Sequence, residues 1–130
     1  MKKVVDVVAA IIVRDGKVLA TERGYGEFKG GWEFPGGKIE QGECPEAALI
    51  REIKEELDAD ISIDSHLVDV EYDYETFHLS MRCYICHLAN DHLQLLEHEA
   101  AKWLASDELE TVDWLPADIS VVDALKARIQ

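Results

Sequence analysis

Between Val4 and Val13 the chain is apolar and rich in β-branched side chains, broken only by Asp6, as a buried strand would be. The dipeptide Asp15-Gly16 then signals a tight hairpin, and Val18–Thr21 returns as its partner. Two further runs, Ser62–Tyr74 and His78–Leu88, read as strands, while "AAKWLA" at 100–105 is short and ambiguous. The period changes in two places. Pro45 suits the first turn of a helix that runs to about Leu57, with Cys44 at an N-cap position that favours Ser, Thr, Asp or Asn. Pro116–Ile129 carries Ile119, Val122, Leu125 and Ile129 at amphipathic spacing. The glycine-rich "RGYGEFKGGW", 23–32, predicts an exposed flexible loop. With no repeat, low-complexity segment or linker, strands and helices intermix through one expected domain over 1–130, of α/β or α+β class.

The first helix carries an unusual load of acid. On a wheel stepping roughly 100° per residue from Ala47, Leu49, Ile50, Ile53 and Leu57 fall at about 200–300° and predict the core-facing stripe. Glu52, Glu55 and Glu56 fall at about 80–180°, beside that stripe. Like charges three and four apart cost a few tenths of a kcal/mol per pair. Such a cluster is either a solvated face or a site for a hard cation, which takes oxygen ligands. The preceding "FPGGK", 34–38, favours the cation: it offers tight turns, exposed carbonyls and a lysine beside the acids.

Composition narrows the classes. A formal charge of −14 speaks against nonspecific nucleic-acid binding, and a phosphorylated small molecule needs cations between it and the carboxylates. The opening "MKKVVDVVAAIIV" lacks a secretory pattern, because Asp6 interrupts the apolar run and no small-residue cleavage site follows. No run reaches membrane-spanning length, so a cytoplasmic protein with no membrane partner is expected. Three cysteines do not make a disulfide framework. "CYICH", 83–87, spells a haem-attachment motif, but on a strand Cys83 and Cys86 point to opposite faces and read as core thiols. The five histidines show no metal-ligand spacing, although His98 adjoins Glu97.

The acidic helix and the segment before it resemble the Nudix box, G-x5-E-x7-R-E-U-x-E-E-x-G-U. Gly37, Glu43, Arg51, Glu52, Ile53, Glu55 and Glu56 all fall in register. Asp58 replaces the pattern's glycine and Ala59 its bulky aliphatic; Asp tolerates a left-handed helix end, so a small stability cost is expected. Over nearly its whole length the chain is similar to the MutT-like branch of the Nudix family, its bacterial CTP pyrophosphohydrolases above all. That resemblance implies a mixed sheet sandwiched between helices. It also implies Mg²⁺- or Mn²⁺-dependent hydrolysis of a nucleoside triphosphate to monophosphate and pyrophosphate, in the service of nucleotide-pool sanitation and DNA repair. CTP, dCTP or a modified cytosine nucleotide is the expected substrate; 8-oxo-dGTP is the alternative, and a non-catalytic nucleotide-sensing module the alternative of another class.

Within the resemblance, Glu52, Glu55, Glu56 and the Gly36 carbonyl are expected to hold metal, and Arg51 to orient the glutamates through Glu43. Glu52 or the loop residue Glu97 is expected to accept the proton, with Glu99 close enough to exchange roles with Glu97. A carboxylate crowded by others can rise in pKa, which makes Glu52 one candidate beside Glu97. Arg23 and Lys38 flank the glycine loop and the box as expected phosphate binders, and Phe34, Tyr74 and Phe77 are candidate walls of a base pocket. Asp118 stands where the branch places a base contact, although first-turn capping would also suit it. An ionised Asp only accepts hydrogen bonds, which favours the cytosine amino group modestly and leaves oxidised guanine open. The expected partner is the triphosphate, with no stable nucleic acid, bound by a monomer or homodimer.

Overall fold

The structure is a computed structural model that describes residues 2–24 and 26–129. Among them, seven strands and two α-helices form a mixed sheet with a helix packed on each face. The strands are β1 (Lys3–Arg14), β2 (Lys17–Arg23), β3 (Trp32–Glu33), β4 (Gly36–Lys38), β5 (Ile61–Asp73), β6 (Phe77–Leu88) and β7 (His98–Leu104). The helices are α1 (Pro45–Leu57) and α2 (Pro116–Ile129). No helix among the described residues is long and apolar enough to cross a membrane.

β1 is the hinge of the architecture. It runs parallel to β6 from Lys3 opposite Phe77 to Ile12 opposite Cys86, and antiparallel to β2 and β4. β3 and β7 extend the sheet beyond β2, and β5 beyond β6. The apolar run Val8–Ile12 of β1 is explained by cover on both faces. Ala9 and Ile11 enter the core under α2, while Val8, Ala10 and Ile12 enter the core under α1. Cys83 and Cys86 divide the same way, both buried and both free thiols. The ambiguous 100–105 segment is strand through Leu104, paired with β2.

α1 begins at Pro45 after Cys44, which supplies no side-chain cap, and ends at Asp58 in the left-handed region at φ 49°. That ending is the one expected where the box has glycine. Ala48, Leu49, Ile53 and Leu57 are fully buried; each large aliphatic contributes about 1.5–3 kcal/mol of burial. Ile50 does not join them. It is 46% exposed, whereas Glu56 is 8% exposed and lies inside the buried arc. The stripe is therefore rotated toward the acids, because β4 and the 94–97 segment pack on that side of the helix. A similar correction applies to α2. Ala117, Val121, Val122 and Leu125 face the core, but Ile119 is 50% exposed, and the Ile129 side chain lies outside the described residues.

Candidate active site

The site is assembled from three pieces around α1. First, "FPGGK" is not a series of turns: Gly36–Lys38 is the strand β4, paired with Val7–Ala9 of β1. A β-carbon on Gly36 would overlap the Val8 backbone, and one on Gly37 would overlap the Glu52 carboxylate. The glycines thus let β4 lie between β1 and the acidic helix. Second, the carbonyls of Glu56 and Leu57, left open at the helix end, accept from Leu96 N–H (3.0 Å) and Gln94 N–H (2.7 Å). Those bonds bring Glu97 to α1, where it lines one open cleft of about 870 Å³ with Glu52, Glu55 and Glu56. Gly36, Gly37, Lys38, Arg23, Glu33 and His98 line the same cleft. Glu99, the alternative to Glu97, is not among its walls.

Third, Arg51 gathers the acids. Its Nε and Nη2 donate to both oxygens of Glu43 (2.8 and 2.9 Å), and Nη1 donates to Glu52 (2.8 Å) and Glu55 (3.3 Å). Nη2 also donates to the Lys38 carbonyl at 3.1 Å, which ties the helix to β4. The guanidinium hydrogen bond pulls the Glu43 carboxyl down to about 2, and the glutamates raise Arg51 further. Glu52, one of the two candidate bases, spends one oxygen on Arg51. The carboxyl that is pushed up, to about 9, is Glu56, first by burial and then by repulsion from Glu52, Glu33 and Glu97.

Among the described residues no three of these side chains close into a finished metal cage. The donor set still fits a hard divalent cation, since it consists of carboxylate and carbonyl oxygens in one acidic cleft. The Oε2 atom of Glu56 is buried with no partner, a costly state for a carboxylate unless a cation or proton meets it.

Beside the cleft lies a smaller pocket of about 110 Å³ lined by Phe28, Phe34, Tyr74, Phe77, Leu115 and Asp118. Tyr74 stacks on Phe77 (ring centroids 5.0 Å apart) and meets Phe28 (5.2 Å). Phe34 is both core and pocket wall, stacked on Trp114 at 4.6 Å. Asp118 is 5% exposed. Its Oδ1 accepts from Phe34 N–H at 3.0 Å and so anchors the β3–β4 connection, while its own first-turn backbone N–H also interacts with the carboxyl. Burial pushes this carboxyl up to about 8, and at neutral pH it carries a proton and can donate as well as accept, contrary to the acceptor-only expectation.

Sequence reasoning missed Glu33 and Phe28. Glu33 lines both cavities and holds Arg23 through two hydrogen bonds (2.8 and 3.2 Å). A lone Glu on a two-residue strand carries no periodic signal, so only the pairing of β3 with β2 reveals it.

Gly37→Ala isolates the role of this packing. The new methyl meets only the end of a flexible side chain, so the melting temperature should hardly change while Glu52 is displaced. A displacement on the order of 1 Å at a reacting centre costs about 10²-fold in rate. Full activity in a folded Gly37→Ala protein would remove Glu52 from the machinery.

Comparison with known proteins adds an independent line. The sequence profile of the NUDIX domain matches residues 2–125. The chain is 35% identical over 128 residues to the CTP pyrophosphohydrolase of Escherichia coli K12, covering 96% of this chain and 93% of that one. It is 29% identical over 127 residues to the 8-oxo-dGTP diphosphatase of the same organism, covering 97% and 98%. Its fold superimposes on the crystal structure of a MutT NUDIX hydrolase from Burkholderia pseudomallei with a TM-score of 0.84, at 28% identity and over 95% and 99% of the two chains.

Proposed function

The chain belongs to the NUDIX family of hydrolases, and on that premise we propose that it is a Mg²⁺- or Mn²⁺-dependent pyrophosphohydrolase of cytosine nucleoside triphosphates. The observation that carries the reading is the junction of two cavities: an acidic cleft suited to metal and phosphates opens beside a small aromatic pocket that contains one buried carboxyl. A pocket of about 110 Å³ between aromatic walls offers room for one nucleobase. Likeness to a CTP pyrophosphohydrolase over nearly the whole chain supports cytosine as that base. Likeness to an 8-oxo-dGTP diphosphatase supports the second reading, an oxidised-guanine substrate. Either substrate implies work in the cytoplasmic nucleotide pool.

Glu52, Glu55, Glu56 and the Gly36 carbonyl would hold the metal, with Glu97 beside them in the same cleft; when bound, the metal would supply Lewis acidity at the phosphoryl oxygens and lower the pKa of a bound water. Arg51 holds Glu52 and Glu55 in place, and Glu43 holds Arg51. Arg23 and Lys38 bind phosphate oxygens. Glu52 or Glu97 takes a proton from the attacking water, whose oxygen bonds to phosphorus as the bridging P–O bond breaks and pyrophosphate leaves. Phe28, Phe34, Tyr74 and Phe77 enclose the base, and Asp118 contacts its polar edge.

Pyrophosphate release with Mg²⁺ should be measured over CTP, dCTP, 5-methyl-dCTP, 8-oxo-dGTP and the ordinary purine triphosphates. The highest kcat/KM is expected for a cytosine nucleotide. A higher value for 8-oxo-dGTP would transfer the assignment to the second reading, and tight binding with no release would make the protein a sensor.

A further inference from the structure

His98 lines the cleft, and the reading above leaves it without a task. Its side chain is only 3% exposed and lies between carboxylates from two different elements. Nε2 is 3.3 Å from Oε1 of Glu56 on α1 and 3.8 Å from Oε2 of Glu33 on β3. The other ring nitrogen, Nδ1, is buried and has no partner. A buried N–H without an acceptor is rarer and costlier than an unused lone pair. The neutral ring therefore carries its hydrogen on Nε2, and a charged ring carries one there too. In either form the nitrogen facing the two carboxylates is a donor.

The backbone holds this ring in place from two sides. His98 pairs with Arg23 at a register shift in the β2–β7 ladder, and the segment just before it is bonded to the end of α1 through Leu96 N–H. Glu56 meanwhile is repelled by Glu52, Glu33 and Glu97, against a smaller attraction from Arg23. Arg51, the hub for the other acids, donates to Glu43, Glu52 and Glu55 but has no bond to Glu56. Glu56 thus needs its own neighbouring donor, and an imidazole supplies one without the permanent charge of a lysine or arginine.

We propose that His98 is a positioning residue whose Nε2–H holds the Glu56 carboxylate in the cleft and links it to the Glu33–Arg23 pair, joining the metal side of the site to the phosphate side. The proposal rests on the reading of Glu56 as a metal ligand and Arg23 as a phosphate binder. Hydrogen-bond partners of metal-ligating carboxylates act at a distance of one residue: their loss typically weakens metal affinity by about 10–100-fold.

The test is Mn²⁺ binding to the full chain, read from the electron paramagnetic resonance signal of free ion, with thermal melts alongside. Four proteins are compared: wild type, His98→Gln, His98→Asn and Glu56→Gln. A glutamine amide nitrogen reaches the position of Nε2, whereas an asparagine amide nitrogen reaches only that of Nδ1. His98→Asn should bind Mn²⁺ about 10–100-fold more weakly, and His98→Gln should recover most of the loss. Wild-type affinity in His98→Asn overturns the proposal, as does an equal loss in both variants, which would reduce the ring to packing. Loss in Glu56→Gln without loss in His98→Asn confines the failure to His98. Unchanged affinity in Glu56→Gln would instead remove the metal reading on which the proposal stands.

Discussion

Glu56→Gln should lower kcat by about 10²–10³-fold, the scale on which one removed electrostatic stabiliser acts, and leave the fold intact. The substitution keeps the shape of a buried side chain and removes the charge that a divalent cation needs. Stability should move the other way. In wild type without metal, the folded Glu56 carboxyl titrates near 9, well above the ordinary value of 4.5. The folded state therefore holds a proton that the unfolded chain has released, and wild-type stability falls as pH rises from about 5 to about 9. Glutamine has no such proton to lose. Melting curves in EDTA should show the variant gaining on wild type across that window, by about 4 kcal/mol between pH 5 and pH 8. Wild-type turnover at limiting Mg²⁺ would show that this helix does not carry the metal.

Asp118 should decide which base is hydrolysed. Leaving a buried partner without its hydrogen bond costs roughly 1–3 kcal/mol, or about five- to 150-fold in kcat/KM. Asp118→Ala should impose that loss on the preferred base and far less on poor substrates. It also strands the Phe34 N–H, so the protein should melt lower. Asp118→Asn separates the two roles. Its amide oxygen still accepts from Phe34, while its NH₂ replaces the carboxyl hydrogen and alters the pattern offered to the base. Because burial raises the Asp118 carboxyl to about 8, the asparagine protein should also gain stability relative to wild type as pH rises from about 4 to 8. A substrate ranking that neither variant changes, with only the melting point of the alanine protein lowered, would reduce Asp118 to the anchor of Phe34.

Both predictions depend on features of unequal visibility. The helix limits, its left-handed end at Asp58 and the opposed faces of Cys83 and Cys86 follow from local rules: a proline at the first turn, a residue type that tolerates positive φ, and a two-residue period. The register of Gly37, Glu43, Arg51, Glu52, Glu55 and Glu56 is likewise written in the chain, because one helix, the strand before it and the short connection between them hold all six. Tertiary packing decided the rest. A helical wheel places Ile50 and Glu56 at opposite edges of one stripe, and only the elements packed on α1 determine that Glu56 is buried and Ile50 exposed. Glu97 was separated from Glu99 by backbone bonds to the far end of α1. Asp118 acquired its proton from the burial created by residues such as Phe34, 84 positions away. Side-chain direction is a property of a few adjacent dihedral angles and so can be read locally. Burial, and the protonation that follows from it, sums over every neighbour the fold brings near.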